Sequence, residues 1–328
     1  MDFTNIVGHE DIIKHFKASI EMDRVGHAYI ICGEEASGKK SLAKTFAKTL
    51  QCEQHGIDPC NECKSCLQVE SGNHPDIIFV KHEKPKVITV DEIRDQVVNN
   101  IQIKPYSGKY KIYIINDAQL MNVEAQNAIL KTIEEPPQYA VIILLATTAE
   151  KFLPTIISRC MLLNLKPVKD EDIKNYLMTN FGIDSHKAET AVGYAAGNLG
   201  KAIKLVTNEE YQMLIRSVIR LETNIFDMGM EDIEETILDS DRFKVTINEY
   251  LDLMLVWYRD ILVLKVTGNP DKIIFKENYS EIRNQSQFLS FNELEDKKKA
   301  IEAAKIRINA NAKISDVMKL LIMTLKEK

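Results

Sequence analysis

The chain has 328 residues, of which 45% are hydrophobic and 27% charged, with a formal net charge of −6. That length fits two or three domains with a buried core, and the acidic balance excludes a surface that coats nucleic acid all over, while leaving room for a local basic patch. No apolar run reaches the roughly 18 residues that span a bilayer, and Met1-Asp2-Phe3-Thr4-Asn5 lacks the basic-then-apolar start of a secretory signal, so a cytoplasmic protein without membrane contact is expected.

The first apolar run, Ala28 to Cys32, leads into Gly33-Glu34-Glu35-Ala36-Ser37-Gly38-Lys39-Lys40-Ser41. Leu42, Phe46 and Leu50 then recur at a spacing of four, which puts them on one helical face. Strand, glycine loop and helix together make a phosphate-binding loop. In a working G-x-x-x-x-G-K-[ST] loop, backbone amides cradle phosphates, the lysine reaches the β/γ oxygens and the hydroxyl ligates Mg²⁺. Lys40 stands where that hydroxyl belongs and cannot ligate a cation. Gly33, Gly38, Lys39, Lys40 and Ser41 are thus candidate nucleotide-binding residues of a degenerate loop, and ATP binding there is doubtful.

Directly after that helix, Cys52, Cys60, Cys63 and Cys66 follow the spacing C-x7-C-x2-C-x2-C. Tetrahedral Zn²⁺ takes four thiolates, and C-x2-C steps let sulfurs converge on one ion. With all four positions filled by sulfur, the expected zinc is structural. Free or redox thiols are the alternative. Cys32 and Cys160 read as buried small hydrophobes.

Further strands are expected at Ile77–Val80, Lys111–Ile115 and Ala140–Ala146. Between them, one helix opens on the capping box Thr89-Val90-Asp91-Glu92, and another runs from Val123 to Ile133 until Pro136-Pro137 stops it. Strands alternating with helices predict a parallel sheet covered on both faces. A P-loop ATPase also needs an acidic residue for Mg²⁺ at a strand end, commonly followed by a glutamate that orients water. Here Asn116-Asp117-Ala118 lacks that pair in either register, so Asn116 and Asp117 form a degenerate acidic motif. Beyond about Leu165 the strand signals fade. Short helices and a turn at Gly197-Asn198-Leu199-Gly200 fill 168–205, and helical periodicity dominates from about Asn208, with an apolar helix near Tyr250–Val266, a turn at Thr267-Gly268-Asn269-Pro270 and a closing charged helix opened by Ser290-Phe291-Asn292-Glu293.

Several blocks carry a resemblance: Gly26-His27-Ala28-Tyr29, the Gly33–Ser41 loop, the four cysteines, Ala125-Gln126-Asn127-Ala128-Ile129-Leu130-Lys131-Thr132-Ile133-Glu134-Glu135-Pro136-Pro137, and Ser158-Arg159-Cys160. Together they resemble the AAA+ subunits of the bacterial DNA polymerase III clamp loader, the delta prime type most closely, over about residues 3–205. The resemblance implies an α/β plus all-α chain: an AAA+ P-loop parallel-sheet domain over 1–165 with a zinc module at 52–66, a small helical lid over 166–207 and a helical collar over 208–328. It implies a non-hydrolysing stator in a hetero-pentamer with gamma/tau motor subunits and delta, a component of the polymerase III holoenzyme that helps load the sliding clamp onto primer-template DNA. Arg159, with Ser158, would be an arginine finger acting in trans on a neighbour's γ-phosphate, and Thr148 would stand at a sensor-like strand end. Motors carry Ser or Thr at position 40, an acidic pair at 116–117 and commonly arginine at position 200. All three are absent here, although Lys201 follows Gly200.

Two other readings stay open. An ATP-hydrolysing motor of the gamma/tau kind would need Lys40 to be tolerated and another acid to replace Asn116. A zinc-dependent nucleic-acid binder would need positive charge, and residues 51–67 offer only Lys64 against Glu53, Asp58 and Glu62, too little to anchor phosphates.

Overall fold

Four apolar runs become strands at their expected bounds, β1 (Ala28–Cys32), β2 (Ile77–Val80), β3 (Lys111–Ile115) and β4 (Ala140–Ala146), in the computed structural model. A fifth, β5 (Met161–Asn164), follows Ser158-Arg159-Cys160, where the sequence reading places no strand. The order is β2-β3-β4-β1-β5, and every pairing is parallel. The described residues are 2–83, 86–243 and 246–327, without the side chains of 238–242.

Parallel strands need crossover connections, and helices supply them. They are α2 (Lys39–Leu50), α3 (Lys64–Glu70), α4 (Val90–Ile93), α5 (Val123–Glu134) and α6 (Pro154–Ile157), while α1 (Glu10–Glu21) precedes β1. Because side chains alternate across a strand, β1 to β4 each feed two cores. Ile30, Tyr113 and Ile142 face α4 and α5 through Ile93, Ile129 and Ile133. Tyr29, Ile114 and Ile143 face α1 and α2 through Phe16, Leu42 and Phe46. On that second face Phe16 and Phe46 stack with centroids 3.9 Å apart, and Tyr29 meets both edge-on. Both faces are covered, and β1, β3 and β4 are buried throughout. The Asn122 side chain caps α5 by accepting from the Ala125 N–H, and the helix ends at Glu135 (φ −125°, ψ 64°), outside the helical region that the following Pro136 disfavours.

The chain divides into two compact units, Met1–Tyr176 with Gly197–Gly200, and Leu177–Ala196 with Lys201–Lys328. The division falls within α7 (Asp170–Phe181) and again around the turn between α8 (Ser185–Ala195) and α9 (Leu199–Thr207). Beyond them the second unit holds α10 (Glu209–Asn224), α11 (Met230–Arg242), α12 (Ile247–Thr267), α13 (Tyr279–Phe288), α14 (Phe291–Asn309) and α15 (Ile314–Lys326). Its core centres on Tyr250, Met254, Trp257 and Ile261 of α12, which ends at the left-handed Gly268 (φ 62°). Ser290 and Glu293 form a capping box at the expected helix start, yet the charged helix they open, α14, is not the last. The apolar α15 closes the unit, burying Val317, Met318, Leu321, Ile322 and Leu325.

Candidate functional site

In a parallel sheet all strand ends of one kind share an edge. The carboxyl edge therefore collects the loop after β1, Asn116-Asp117 after β3 and Thr147-Thr148 after β4. Gly38 takes φ 94°, a conformation glycine adopts without strain, and starts α2. Lys39 Nζ donates to the carbonyls of Gly33 (2.6 Å) and Glu34 (2.5 Å). Burial lowers its pKa, opposed by the charges of Asp117 and Glu35. Lys40 lies outside the loop, its ammonium 5.9 Å from the centre of the Phe79 ring. Asp117 is exposed in the left-handed region (φ 48°), Asn116 precedes it half-buried, Ser41 sits half-buried in the first turn of α2, and Thr148 Oγ1 accepts locally from the Glu150 N–H (3.3 Å).

Two contacts missed by the sequence reading hold this loop from outside. Asn198 Nδ2 donates to Glu34 Oε2 (3.3 Å) and to the Glu35 carbonyl (2.8 Å), and His9 Nε2 lies 3.2 Å from the Ser37 carbonyl. Gly200 packs so close that a Cβ there would sit 2.3 Å from the Ala36 carbonyl oxygen. Any side chain at 200 requires the loop to move.

Arg159 belongs to the opposite edge. It precedes β5, whose Met161 pairs with Tyr29 and whose Asn164 pairs with Cys32, immediately before the loop. Three residue steps at about 3.3 Å, plus the turn, put Arg159 about 10 Å or more along the sheet from its own Gly33. Its Nε lies 3.0 Å from Glu134 Oε1 in an ion pair, and its Nη1 donates to the Thr155 carbonyl (3.1 Å) and to Ser158 Oγ (3.2 Å). Ser158 Oγ in turn donates to the Thr155 carbonyl (3.1 Å). The residue is exposed, and no hydrogen bond reaches Nη2 among the described residues. Gln126, earlier on α5, ties down the segment that leads to α6: Nε2 donates to the Met121 and Lys151 carbonyls, both at 3.1 Å, and Oε1 accepts from the Leu153 N–H at 2.8 Å. Burial pushes the Cys160 thiol up to about 12, which makes it inert.

The cysteines gather where α2 ends. The sulfurs of Cys52, Cys60, Cys63 and Cys66 all lie within 4.8 Å of one another, with Cys60 and Cys66 3.9 Å apart. Four thiolates at about 2.3 Å from one zinc would stand about 3.8 Å from each other, so the donor set fits such an ion. Backbone N–H groups of Cys60, Cys63 and Cys66 point at the sulfurs of Cys52, Cys60 and Cys63 at 3.3–3.4 Å, and Asn61 turns the first C-x2-C step at φ 64°. N–H groups of Glu62 and Cys63 lower the Cys60 thiol to about 6, whereas burial raises Cys52 and Cys66. Ionising all four sulfurs this close would need a cation between them. Underneath, Ser65 Oγ meets His74 Nε2 at 3.1 Å, while the Asp76 N–H donates to Nδ1 at 3.1 Å. Nδ1 thus accepts, the ring proton is on Nε2, and Ser65 accepts it, the reverse of a nucleophile facing a base. Asp76 is equally committed. Its carboxylate accepts from the N–H groups of Tyr106, Ser107 and Gly108 and from Ser107 Oγ.

A five-stranded parallel sheet with a glycine loop after β1, a helix-capped arginine before the edge strand, and a largely helical second unit together define an AAA+-type P-loop protein. The model of the family described as DNA polymerase III, delta subunit, matches residues 8–169. DNA polymerase III subunit delta' of Bacillus subtilis is 28% identical over 320 residues, 96% of this chain and 95% of that protein. Subunit gamma of Buchnera aphidicola subsp. Schizaphis graminum is 30% identical over 329 residues, 95% and 88% of the two chains. A gamma subunit-related protein of Thermotoga maritima, 18% identical, aligns in structure over 96% of this chain and 98% of its own with a TM-score of 0.48. The chain belongs to the bacterial DNA polymerase III clamp-loader subunit family. Among the described residues no helix is long and apolar enough to cross a membrane.

Proposed function

We propose that this chain is the non-hydrolysing, delta prime-type stator of a clamp loader, supplying Arg159 to ATP held by a neighbouring motor subunit. The observation that carries this reading is the separation of Arg159 from its own loop by the depth of the sheet. An arginine on the amino edge meets a γ-phosphate only if another chain presents it. The guanidinium offers a fixed positive fork for the charge that develops in phosphoryl transfer. On the carboxyl edge, Lys40 replaces the Mg²⁺-binding hydroxyl and Asn116-Asp117-Ala118 lacks the acidic pair, which weighs against turnover on this chain itself.

In this reading the partners are gamma/tau and delta subunits in a hetero-pentamer, acting in the cytoplasm on the sliding clamp and, through the assembly, on primer-template DNA. The sheet unit is the rigid body the motors work against. Cys52, Cys60, Cys63 and Cys66 hold a structural zinc, closed to chemistry because all four positions are sulfur. The second reading, a gamma/tau-like motor, draws on one observation: Lys39 and the left-handed Gly38 keep the loop's general form.

The test is primer-template-stimulated ATP hydrolysis by the reconstituted assembly, with this chain or its Arg159→Ala variant, after both are shown to assemble equally. A large loss supports the finger in trans. Unchanged turnover sinks it, and Mg²⁺-dependent hydrolysis by this chain alone, abolished by Lys39→Ala, would establish the motor reading instead.

A further inference from the structure

We infer that Glu134 is the positioning residue that aims Arg159. This rests on the reading of Arg159 as a donor in trans and adds what holds it ready. A guanidinium has five N–H donors in one plane. Here Glu134 Oε1 lies 3.0 Å from Nε as an ion-pair partner, and Nη1 donates to the Thr155 carbonyl and Ser158 Oγ. The two inner partners fix the plane, and the donors of Nη2 are left facing out. Without Glu134, the ion pair that holds the guanidinium is lost and the arginine must be ordered at the moment of reaction.

The anchor itself stands on a firm base. Glu134 is the last residue of α5, one position after the fully buried Ile133 and just before the Pro136-Pro137 stop. Both side chains of the pair are about two-fifths exposed, at 40% and 42%. An ion pair so wet adds little to stability, so its geometric role can be separated from any role in folding.

The experiment measures kcat and KM for ATP of the full reconstituted assembly carrying Glu134→Ala, Glu134→Gln, Arg159→Ala or the Glu134→Ala/Arg159→Ala pair, together with the melting temperature of each isolated variant. Expected is a fall in kcat of roughly tenfold for Glu134→Ala with KM nearly unchanged. Glu134→Gln, which keeps the side chain's shape but removes the charge of the ion pair, regains at most part of the rate, and the double variant is no slower than Arg159→Ala. Melting temperatures stay together. Wild-type kcat in Glu134→Ala while Arg159→Ala is impaired overturns the inference and leaves the finger standing. So does a double variant slower than Arg159→Ala by the full single-variant factor, since Glu134 would then act apart from Arg159. A silent Arg159→Ala removes the underlying reading, and this inference with it.

Discussion

The two edges of the sheet treat their charged groups in opposite ways. On the carboxyl edge the polar atoms are turned inward on the loop: Lys39 bonds two loop carbonyls, Asn198 holds Glu34 and Glu35, and Gly200 presses on Ala36. On the amino edge buried groups are satisfied by a framework, and one cationic edge, Nη2 of Arg159, faces out uncommitted. The loop after β1 is thus tied into the joint between strand and helix, while the arginine proposed as the donor lies at the other end of the strands. A motif match locates neither of these facts, because both depend on what surrounds the residues.

The largest effect expected from this contrast is on turnover. Arg159→Ala should slow the assembly's ATP hydrolysis by about 10³-fold, roughly 4 kcal/mol in barrier, while Lys39→Ala in the same chain changes it less than about twofold. Equal losses in a steady-state phosphate-release assay would erase the distinction between the edges. Next comes the metal. Stripping the cysteine cluster with a strong chelator, or replacing Cys60 with Ser, should destabilise the chain by more than about 3 kcal/mol in urea unfolding, and atomic absorption should count one zinc per chain before treatment. A metal-free chain of unchanged stability would mean that the cysteines do not brace the amino edge.

Asp76 gives a smaller, pH-dependent effect. Burial alone would raise its pKa, but hydrogen bonds from Tyr106, Ser107 and Gly108 outweigh it and the pKa is lowered. A carboxylate depressed on folding contributes its stability above the unfolded pKa of about 3.9 and loses it as pH falls further, towards the folded value. Asp76→Ala should cost about 2–3 kcal/mol at neutral pH and flatten the acid limb below about pH 4. An acid limb identical to the parent's would show that the Tyr106–Gly108 turn is held by something else.

Much of this was legible in the sequence, for identifiable reasons. β1 to β4 are dense apolar runs that the sheet buries, so their bounds coincide with the pattern; the cysteine spacing carried its own chemistry. β5 escaped because it is a four-residue edge strand with Met161 and Leu162 exposed, which leaves no alternation to detect. Without β5 the edge that Arg159 occupies cannot be deduced. Glu134 and Gln126 were in plain view within the resembling block, yet their partners at Arg159, Lys151 and Leu153 lie 25–27 residues away. Contacts across such a gap are made by packing and leave no local periodicity. The final helix was hidden by the preceding capping box, a stronger signal than any at Lys313, which caps nothing.

The smallest effect concerns the carboxyl edge itself. Lys40→Thr restores a hydroxyl at the cation position, but Asn116 still lacks charge and the Asn198 and Gly200 contacts still hold the loop, so the isolated chain should show no Mg²⁺-dependent ATP turnover above a Lys39→Ala/Lys40→Thr control. Adding Asn198→Ala to Lys40→Thr removes hydrogen bonds worth about 1 kcal/mol net, so nucleotide affinity measured by fluorescent-analogue titration should rise about fivefold, still without hydrolysis. Turnover in the single Lys40→Thr variant would mean that the side chain at 40, and not the contacts on the loop, decides hydrolysis at this edge. An affinity indifferent to Asn198 would shift attention to the charges of the acidic loop residues Glu34 and Glu35.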